Sequence, residues 1–136
     1  DGFLENLGKT QLAYSPNLVG GSSIMYIPST RFQIGLLSKY VGKQYMGNID
    51  SENSTLEAYF VNDLNAVFIW KPNKWVSEIQ WSILINNIFD IKYESNGYFY
   101  TYDDDFSTPG QLKTIEGAGY YPQAGINFLT GLSLRF

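Results

Sequence analysis

The last stretch of the chain alternates between apolar side chains and small or polar ones. Between residues 122 and 136 the apolar positions are Ala124, Ile126, Phe128, Thr130, Leu132, Leu134 and Phe136, and the intervening ones are Gln123, Gly125, Asn127, Leu129, Gly131, Ser133 and Arg135. A two-residue period is typical of a β-strand with one apolar face. This pattern restricts the chain to folds built from long strands.

Three more segments repeat the alternation, at residues 31–43, 58–70 and 75–87, and residues 18–27 form a weaker example. Their apolar sets are Phe32, Ile34, Leu36 and Tyr40; Phe60, Leu64, Ala66, Phe68 and Trp70; and Trp75, Ile79, Trp81, Ile83 and Ile85. Polar residues occupy the other positions of the third segment, with Val76 and Leu84 as exceptions. Because no segment has a helical period, we predict an all-β chain.

The connections alternate in length. Residues 28–30 and 71–74 are tight turns, and residues 44–57 form a polar loop. Residues 88–121 form a very long loop, in which the short aromatic run at 98–102 is a candidate loop strand. Strands of about 11 to 15 residues exceed the globular mode of about 5–6 and reach the ~9–11 residues that a membrane strand needs. We therefore predict an antiparallel up-and-down meander of about five long strands, the C-terminal segment of a transmembrane β-barrel.

Trp70 and Trp75 flank the second tight turn. In a barrel they would belong to the aromatic girdle at the membrane surface. In a soluble sandwich they would be core residues, and the sequence leaves both interpretations open.

Composition excludes several classes of function. The chain has no histidine and no cysteine, which removes disulfides, the usual zinc sites and every Ser-His-Asp or Cys-His arrangement. The net charge is −4 without a basic stripe, which argues against nucleic-acid binding. We predict no catalytic residues, no cofactor and no metal ligands, and no apolar run is long enough for a transmembrane helix.

The N-terminal residues Asp1, Gly2, Phe3 and Leu4 do not form a signal peptide. An exported barrel needs one. We therefore expect the chain to begin in the middle of a longer protein.

The final strand resembles the C-terminal targeting strand of outer-membrane proteins, through Phe128, Thr130, Leu132, Leu134 and the terminal Phe136. The resemblance implies recognition by the barrel-assembly machinery, which pairs with the exposed edge of such a strand.

Other segments resemble the TonB-dependent receptors of the Bacteroidetes type, and the resemblance covers nearly the whole chain from about Asn6 onward. The segments are Leu-Ser-Lys-Tyr-Val-Gly-Lys-Gln-Tyr at 37–45, Ala-Tyr-Phe-Val-Asn-Asp-Leu at 58–64, Asn-Asn-Ile-Phe-Asp-Ile-Lys-Tyr-Glu at 86–94, and Tyr-Pro-Gln-Ala-Gly at 121–125. The segment at 86–94 is the most specific of them.

The resemblance implies a non-enzymatic nutrient transporter in the cell outer membrane, with residues 1–136 as the C-terminal part of its barrel. The implied partners are outer-membrane lipid, the barrel-assembly machinery and, through the full-length protein, the plug domain and a TonB-type energy coupler. Plug and coupler box are absent from this chain. Siderophores, cobalamin and oligosaccharides are all possible substrates.

The long loop holds the candidate ligand-facing residues Tyr98, Tyr100, Tyr102, Asp103, Asp104 and Asp105. Tyrosines stack on sugar or siderophore rings, and carboxylates bind cations or hydroxyls; the alternative is a solvated acidic loop. Further candidates are Tyr45, Asn48, Asp50 and Glu52 in the other loop, and Arg31, Lys39, Lys43, Asp63, Glu78 and Arg135 on the face towards the barrel interior.

Two other functions remain open from the sequence. The first is a soluble antiparallel β-barrel or sandwich that binds glycans through aromatic residues. The second is a small outer-membrane barrel enzyme or adhesin. If the chain is a five-strand piece of a larger barrel, we expect the isolated piece to curl into a small sheet, to associate through its edges or to need detergent, because its strand edges and apolar face are uncovered.

Overall fold

The computed structural model describes residues 6–72 and 75–136, so the predictions for residues 1–5 and for Asn73 and Lys74 of the second turn lie outside the described residues. The strands are β1 (Val19–Ser29), β2 (Phe32–Val41), β3 (Gln44–Tyr45), β4 (Thr55–Leu56), β5 (Tyr59–Trp70), β6 (Glu78–Asn86), β7 (Glu94–Asp104), β8 (Lys113–Pro122) and β9 (Asn127–Arg135). A 3₁₀ turn spans Glu52–Ser54. The described residues contain no helix with the length and apolarity to cross a membrane.

The chain forms two compact units. The sheet unit comprises Val19–Val41, Tyr59–Lys92 and Ala124–Phe136. The loop unit comprises Gly42–Ala58, Tyr93–Gln123 and, within the described range, residues 6–18.

The sheet unit is one five-stranded antiparallel sheet in the order β1-β2-β5-β6-β9. Each strand lies beside the strand that precedes it in the sheet unit, so the predicted all-β antiparallel meander is confirmed. Residues directly opposite in an antiparallel pair share a face. The pairs Phe32–Phe68, Phe68–Trp81 and Trp81–Leu132 therefore form one row across four strands.

Register and alternation together assign the two faces. The apolar face carries Ile24, Tyr26, Phe32, Ile34, Leu36, Tyr40, Phe60, Leu64, Ala66, Phe68, Trp70, Ile79, Trp81, Ile83, Ile85, Phe128, Thr130, Leu132 and Leu134. The opposite face, here called the polar face, carries the polar residues Gln33, Lys39, Asp63, Asn65, Glu78, Gln80, Ser82, Asn86, Asn127, Ser133 and Arg135. Apolar residues are interspersed among them: Val19, Met25, Leu37, Val41, Tyr59, Val61, Val67, Ile69, Leu84 and Leu129. The predicted apolar sets of β2, β5, β6 and β9 are confirmed for the residues inside these strands.

Several predicted boundaries are wrong by a few residues. β6 begins at Glu78 instead of Trp75, and the turn before β2 is Thr30-Arg31. β9 begins at Asn127 because the residues before it have other partners: Gln123 N–H donates to the Tyr93 carbonyl, and Ile126 N–H donates to the Asp90 carboxylate. The five long strands have 9 to 12 residues, slightly fewer than predicted.

The loop unit corrects the prediction of one very long loop at 88–121, and it confirms the candidate loop strand in the aromatic run at 98–102. β7 and β8 form an antiparallel hairpin there, and the aromatic run at 98–102 lies inside β7. A second, minimal pair, β3 with β4, lies within the predicted polar loop at 44–57. Met46, Ser54 and Leu56 are buried in this segment, so it is an ordered part of the unit.

Candidate functional site

The apolar face of the sheet unit is exposed. Phe128 is 78% exposed, Leu132 66%, Ile24 65% and Trp81 49%. Contiguous exposed apolar surface of this kind marks a site that contacts a protein, a membrane or a ligand. The face also has a shallow groove of about 430 Å³ between Trp70, Trp81 and Leu132.

Exposed aromatic residues lie near both ends of β5 on this face. Phe60 is 51% exposed at the beginning of the strand, and Trp70 is 54% exposed at its last residue. They are about ten residues apart, or roughly 33 Å along a strand that rises ~3.3 Å per residue. A tilt of about 40° reduces that to about 25 Å, the height of the apolar band on outer-membrane barrels. Trp75, by contrast, lies outside the strands and is 91% exposed.

The polar face brings two of the predicted charged residues together. Glu78 forms ion pairs with Lys71 at 3.3 Å and with Arg135 at 3.7 Å, and only a fifth of its side chain is exposed. Asp63 accepts the backbone N–H of Asn87 at 2.8 Å. Lys39 also lies on this face, whereas Arg31 and Lys43 lie outside the strands.

β9 forms one edge of the sheet. Phe128, Thr130, Leu132 and Leu134 all lie on its apolar face, as the targeting-strand resemblance implies. The Trp81 indole N–H donates to Thr130 Oγ1 at 2.7 Å and ties β9 to β6. Within the ranges 6–72 and 75–136, no strand pairs with the other edge of β9, and Phe136 beyond it is 85% exposed.

Asn87 stabilises the segment at residues 86–94 through hydrogen bonds of its side chain. This segment carries the most specific resemblance. Asn87 is buried and has a φ of 50°. Its side chain accepts the Ile91 N–H at 2.9 Å and donates to the carbonyls of Ile91 at 2.9 Å and Ala124 at 3.3 Å. Hydrogen bonds from the Ile126 N–H and from Lys92 lower the pKa of Asp90. The motif therefore joins the exit of β6 to the entrance of β9.

Four half-exposed tyrosines form a ladder on one face of the β7–β8 hairpin. The rings of Tyr98 and Tyr100 lie 6.3 Å apart at 12°, those of Tyr100 and Tyr102 6.3 Å apart at 18°, and Tyr121 is 6.1 Å from Tyr98 at 51°. Each of the four side chains is between 50% and 53% exposed. Tyr121 was not among the sequence candidates; its pairing with β7 is what places it beside Tyr98.

The three aspartates do not join this ladder as a cation site. Asp103 lies on the opposite face and accepts the Thr114 hydroxyl at 2.7 Å. Asp104 caps the following turn, and hydrogen bonds from Ser107 and the Phe106 N–H lower its pKa. Asp105 lies beyond the strand. In the described part of the chain, no three acidic residues are grouped so that they could hold a metal ion.

The other face of the hairpin contacts the loop residues around Asp50. Glu116 accepts the Ser51 hydroxyl at 2.5 Å and the Asn53 amide at 2.8 Å, and these bonds lower its pKa. Asn48 and Asp50 accept the backbone N–H groups of Ala13 and Gln11. Asp50, Ser51 and Glu116 also line a polar depression of about 490 Å³. Two of the loop candidates, Asn48 and Asp50, therefore hold the unit together, and sequence reasoning missed Glu116 as their neighbour.

Comparison with protein-family models, curated proteins and solved structures gives no match to this chain.

Proposed function

We propose that this chain forms the last strands of the transmembrane barrel of an outer-membrane TonB-dependent receptor, which takes up a scarce nutrient without chemical conversion. The observation that carries the proposal is the exposed apolar face, which continues across all five strands of the sheet unit. In water such a surface is unfavourable by about 25 cal/mol per Å² of apolar area. Hydrocarbon removes that penalty.

Strand length favours a bilayer over a second packed sheet. The five strands have 9 to 12 residues, which matches the ~9–11 residues of a tilted membrane strand. Strands in globular sheets are usually half as long, at about 5–6 residues. The exposed Phe60 and Trp70 near the two ends of β5 suit the two interfacial girdles of a barrel.

The two edges of the sheet support membership in a larger barrel. β1 and β9 each pair with one neighbour in the described residues, and an open edge is not tolerated in hydrocarbon because its backbone groups lack partners. In the proposal, upstream strands of the same polypeptide close the barrel, a plug domain fills it, and the polar face with Glu78 and Arg135 lines its interior. The barrel-assembly machinery recognises β9 and Phe136.

The choice of TonB-dependent receptors among outer-membrane barrels depends on the sequence resemblance, above all on residues 86–94. The network around Asn87 gives that motif a physical role. In the proposal, the loop unit belongs to the outer surface, where ligand binds, and the energy coupler acts on the absent N-terminal region.

The test is to express the complete polypeptide that contains this chain in a Gram-negative host and to separate the membranes. We expect it in the outer membrane, resistant to carbonate extraction, with faster gel mobility before heating than after. Uptake of its nutrient should stop when the energy coupler is deleted.

Recovery of the polypeptide as a detergent-free soluble monomer would contradict the proposal. It would favour a soluble β-domain that binds glycans, the second candidate, which the exposed tyrosine ladder independently supports.

A further inference from the structure

We propose that the tyrosine ladder of the loop unit binds a linear, uncharged glycan, with successive sugar rings stacked along Tyr102, Tyr100, Tyr98 and Tyr121. The inference deepens the proposed function, because it names the substrate class, and it depends on that function only for the import step.

The ladder tyrosines differ from two other tyrosines of the same unit in the hydrogen bonds of their hydroxyl groups. Tyr14 and Tyr120 each donate to a backbone carbonyl at 2.9 Å, that of Gly97 and that of Asn53 respectively. The four ladder hydroxyls have no hydrogen-bond partner in the part of the chain that the structure describes. Each phenol can therefore both donate to and accept from a ligand.

Two of the four ladder tyrosines have a structural role, because their rings cover glycines of β8. A side chain on Gly119 would collide with the Tyr98 ring, and one on Gly117 with the Tyr100 ring, so these two rings shield exposed backbone. Tyr102, however, lies opposite Ile115, and Tyr121 lies opposite Asn96. Those two rings have no backbone to shield, yet they extend the same row.

The charge distribution on the ladder face favours an uncharged ligand. The strip from Asn96 to Tyr102 and the paired residues from Ile115 to Tyr121 carry no charged side chain on the ladder face. Lys113 and Asp104 lie opposite each other at its end, where their charges balance. An anionic polymer or an anionic iron complex would lack a cationic partner along this strip. A sugar chain offers apolar ring faces, hydroxyls for the phenols and a regular repeat.

Binding is measured with the complete polypeptide in detergent, by titration calorimetry. The probes are oligosaccharides of two to six units in three series: α-1,4-linked glucose, β-1,4-linked glucose and β-1,4-linked mannose. We expect at least one series to bind with an affinity that rises about 2- to 10-fold per added ring up to four rings, which is the range expected for one aromatic contact. An oligogalacturonate of equal length should bind at least tenfold more weakly than the best neutral series.

The variants locate the site. Tyr102→Ala, which uncovers no glycine, should weaken the longest probe about 2- to 10-fold, and Tyr100→Ala should weaken it at least as much. The matched control is Tyr120→Phe on the opposite face of the same hairpin, which should bind as the unaltered protein does.

The inference is overturned by the absence of saturable binding in any neutral series, by an affinity that does not depend on chain length, or by an unchanged affinity in Tyr102→Ala. Equal binding of the oligogalacturonate also overturns it. None of these results bears on membrane insertion, so failure here is distinguishable from failure of the receptor proposal.

Discussion

Single residues in the segments between the strands fix the backbone of those segments through side-chain hydrogen bonds. Asn87 is the clearest example. Asn87→Ala removes three such bonds and leaves an alanine at a φ of 50°. Hydrogen bonds are worth about 1 kcal/mol each, and the left-handed backbone adds about 1–2 kcal/mol. We expect a loss of about 4–5 kcal/mol in the free energy of unfolding, measured by urea denaturation in detergent with tryptophan fluorescence.

The control for this variant is Asn86→Ala. Asn86 is the adjacent residue in regular strand geometry and donates one side-chain bond to Asn127 at 2.8 Å. Its loss should be about 1 kcal/mol. Equal losses in the two variants would show that the Asn87 network does not stabilise the fold.

We expect the stability of the loop unit to fall at acidic pH because of Glu116. The Ser51 hydroxyl and the Asn53 amide lower its pKa in the folded state. A carboxylate whose pKa is lower in the folded state than in the unfolded state stabilises the fold at pH values above the ordinary glutamate pKa. That stabilisation is lost as the pH falls through the pKa of the folded state. Carboxyl NMR of Glu116 should titrate below the pKa of a glutamate in an unfolded peptide. Replacement by Glu116→Gln should remove this part of the pH dependence, and an ordinary titration of Glu116 would contradict the assignment.

These contacts show what sequence reasoning could not provide at this scale. The resemblance pointed to residues 86–94, but the bond from Asn87 to Ala124 joins residues far apart in the chain. The same holds for Glu116 with Ser51. Such pairs depend on tertiary structure, and no local pattern contains them.

At the scale of strands, the two-residue alternation predicts that neighbouring substitutions in β6 differ sharply. Ile83 lies on the apolar face, and Ser82 lies on the polar face. An arginine near the middle of a lipid-facing strand costs about 2–4 kcal/mol. We therefore expect Ile83→Arg to lose that much stability in lipid vesicles, and Ser82→Arg to lose less than about 1 kcal/mol. Equal losses, or the reverse order, would show that the faces are assigned wrongly.

Alternation predicted the five strands whose apolar residues line one face, with a weaker pattern in β1, and it failed for β8. On the ladder face that strand carries Gly117 and Gly119 where an apolar strand would have large side chains, and the Tyr98 and Tyr100 rings of β7 fill those places. The apolar signal of the hairpin is therefore concentrated in one of its strands. Loops longer than about 12–15 residues without secondary structure are uncommon, and this could have revealed the hairpin.

At the scale of the whole molecule, the proposed role as a membrane barrel depends on what covers the apolar face. Both a bilayer and a second protein layer would bury Trp81 and Ile83, and both agree with the substitutions above. Strand length favours the bilayer, and so do the edges of β1 and β9, which have no partner strand among residues 6–72 and 75–136.

Because the chain contains no cysteine, single cysteines can report on it directly when other cysteines of the complete polypeptide are replaced. Fluorophores attached at Ile79 and Ile83, and at the control positions Gln80 and Ser82, are compared in vesicles that contain spin-labelled acyl chains. If the apolar face contacts lipid, quenching is strong at Ile79 and Ile83 and weak at Gln80 and Ser82. Equal quenching at all four positions, or none at Ile79 and Ile83, would contradict it.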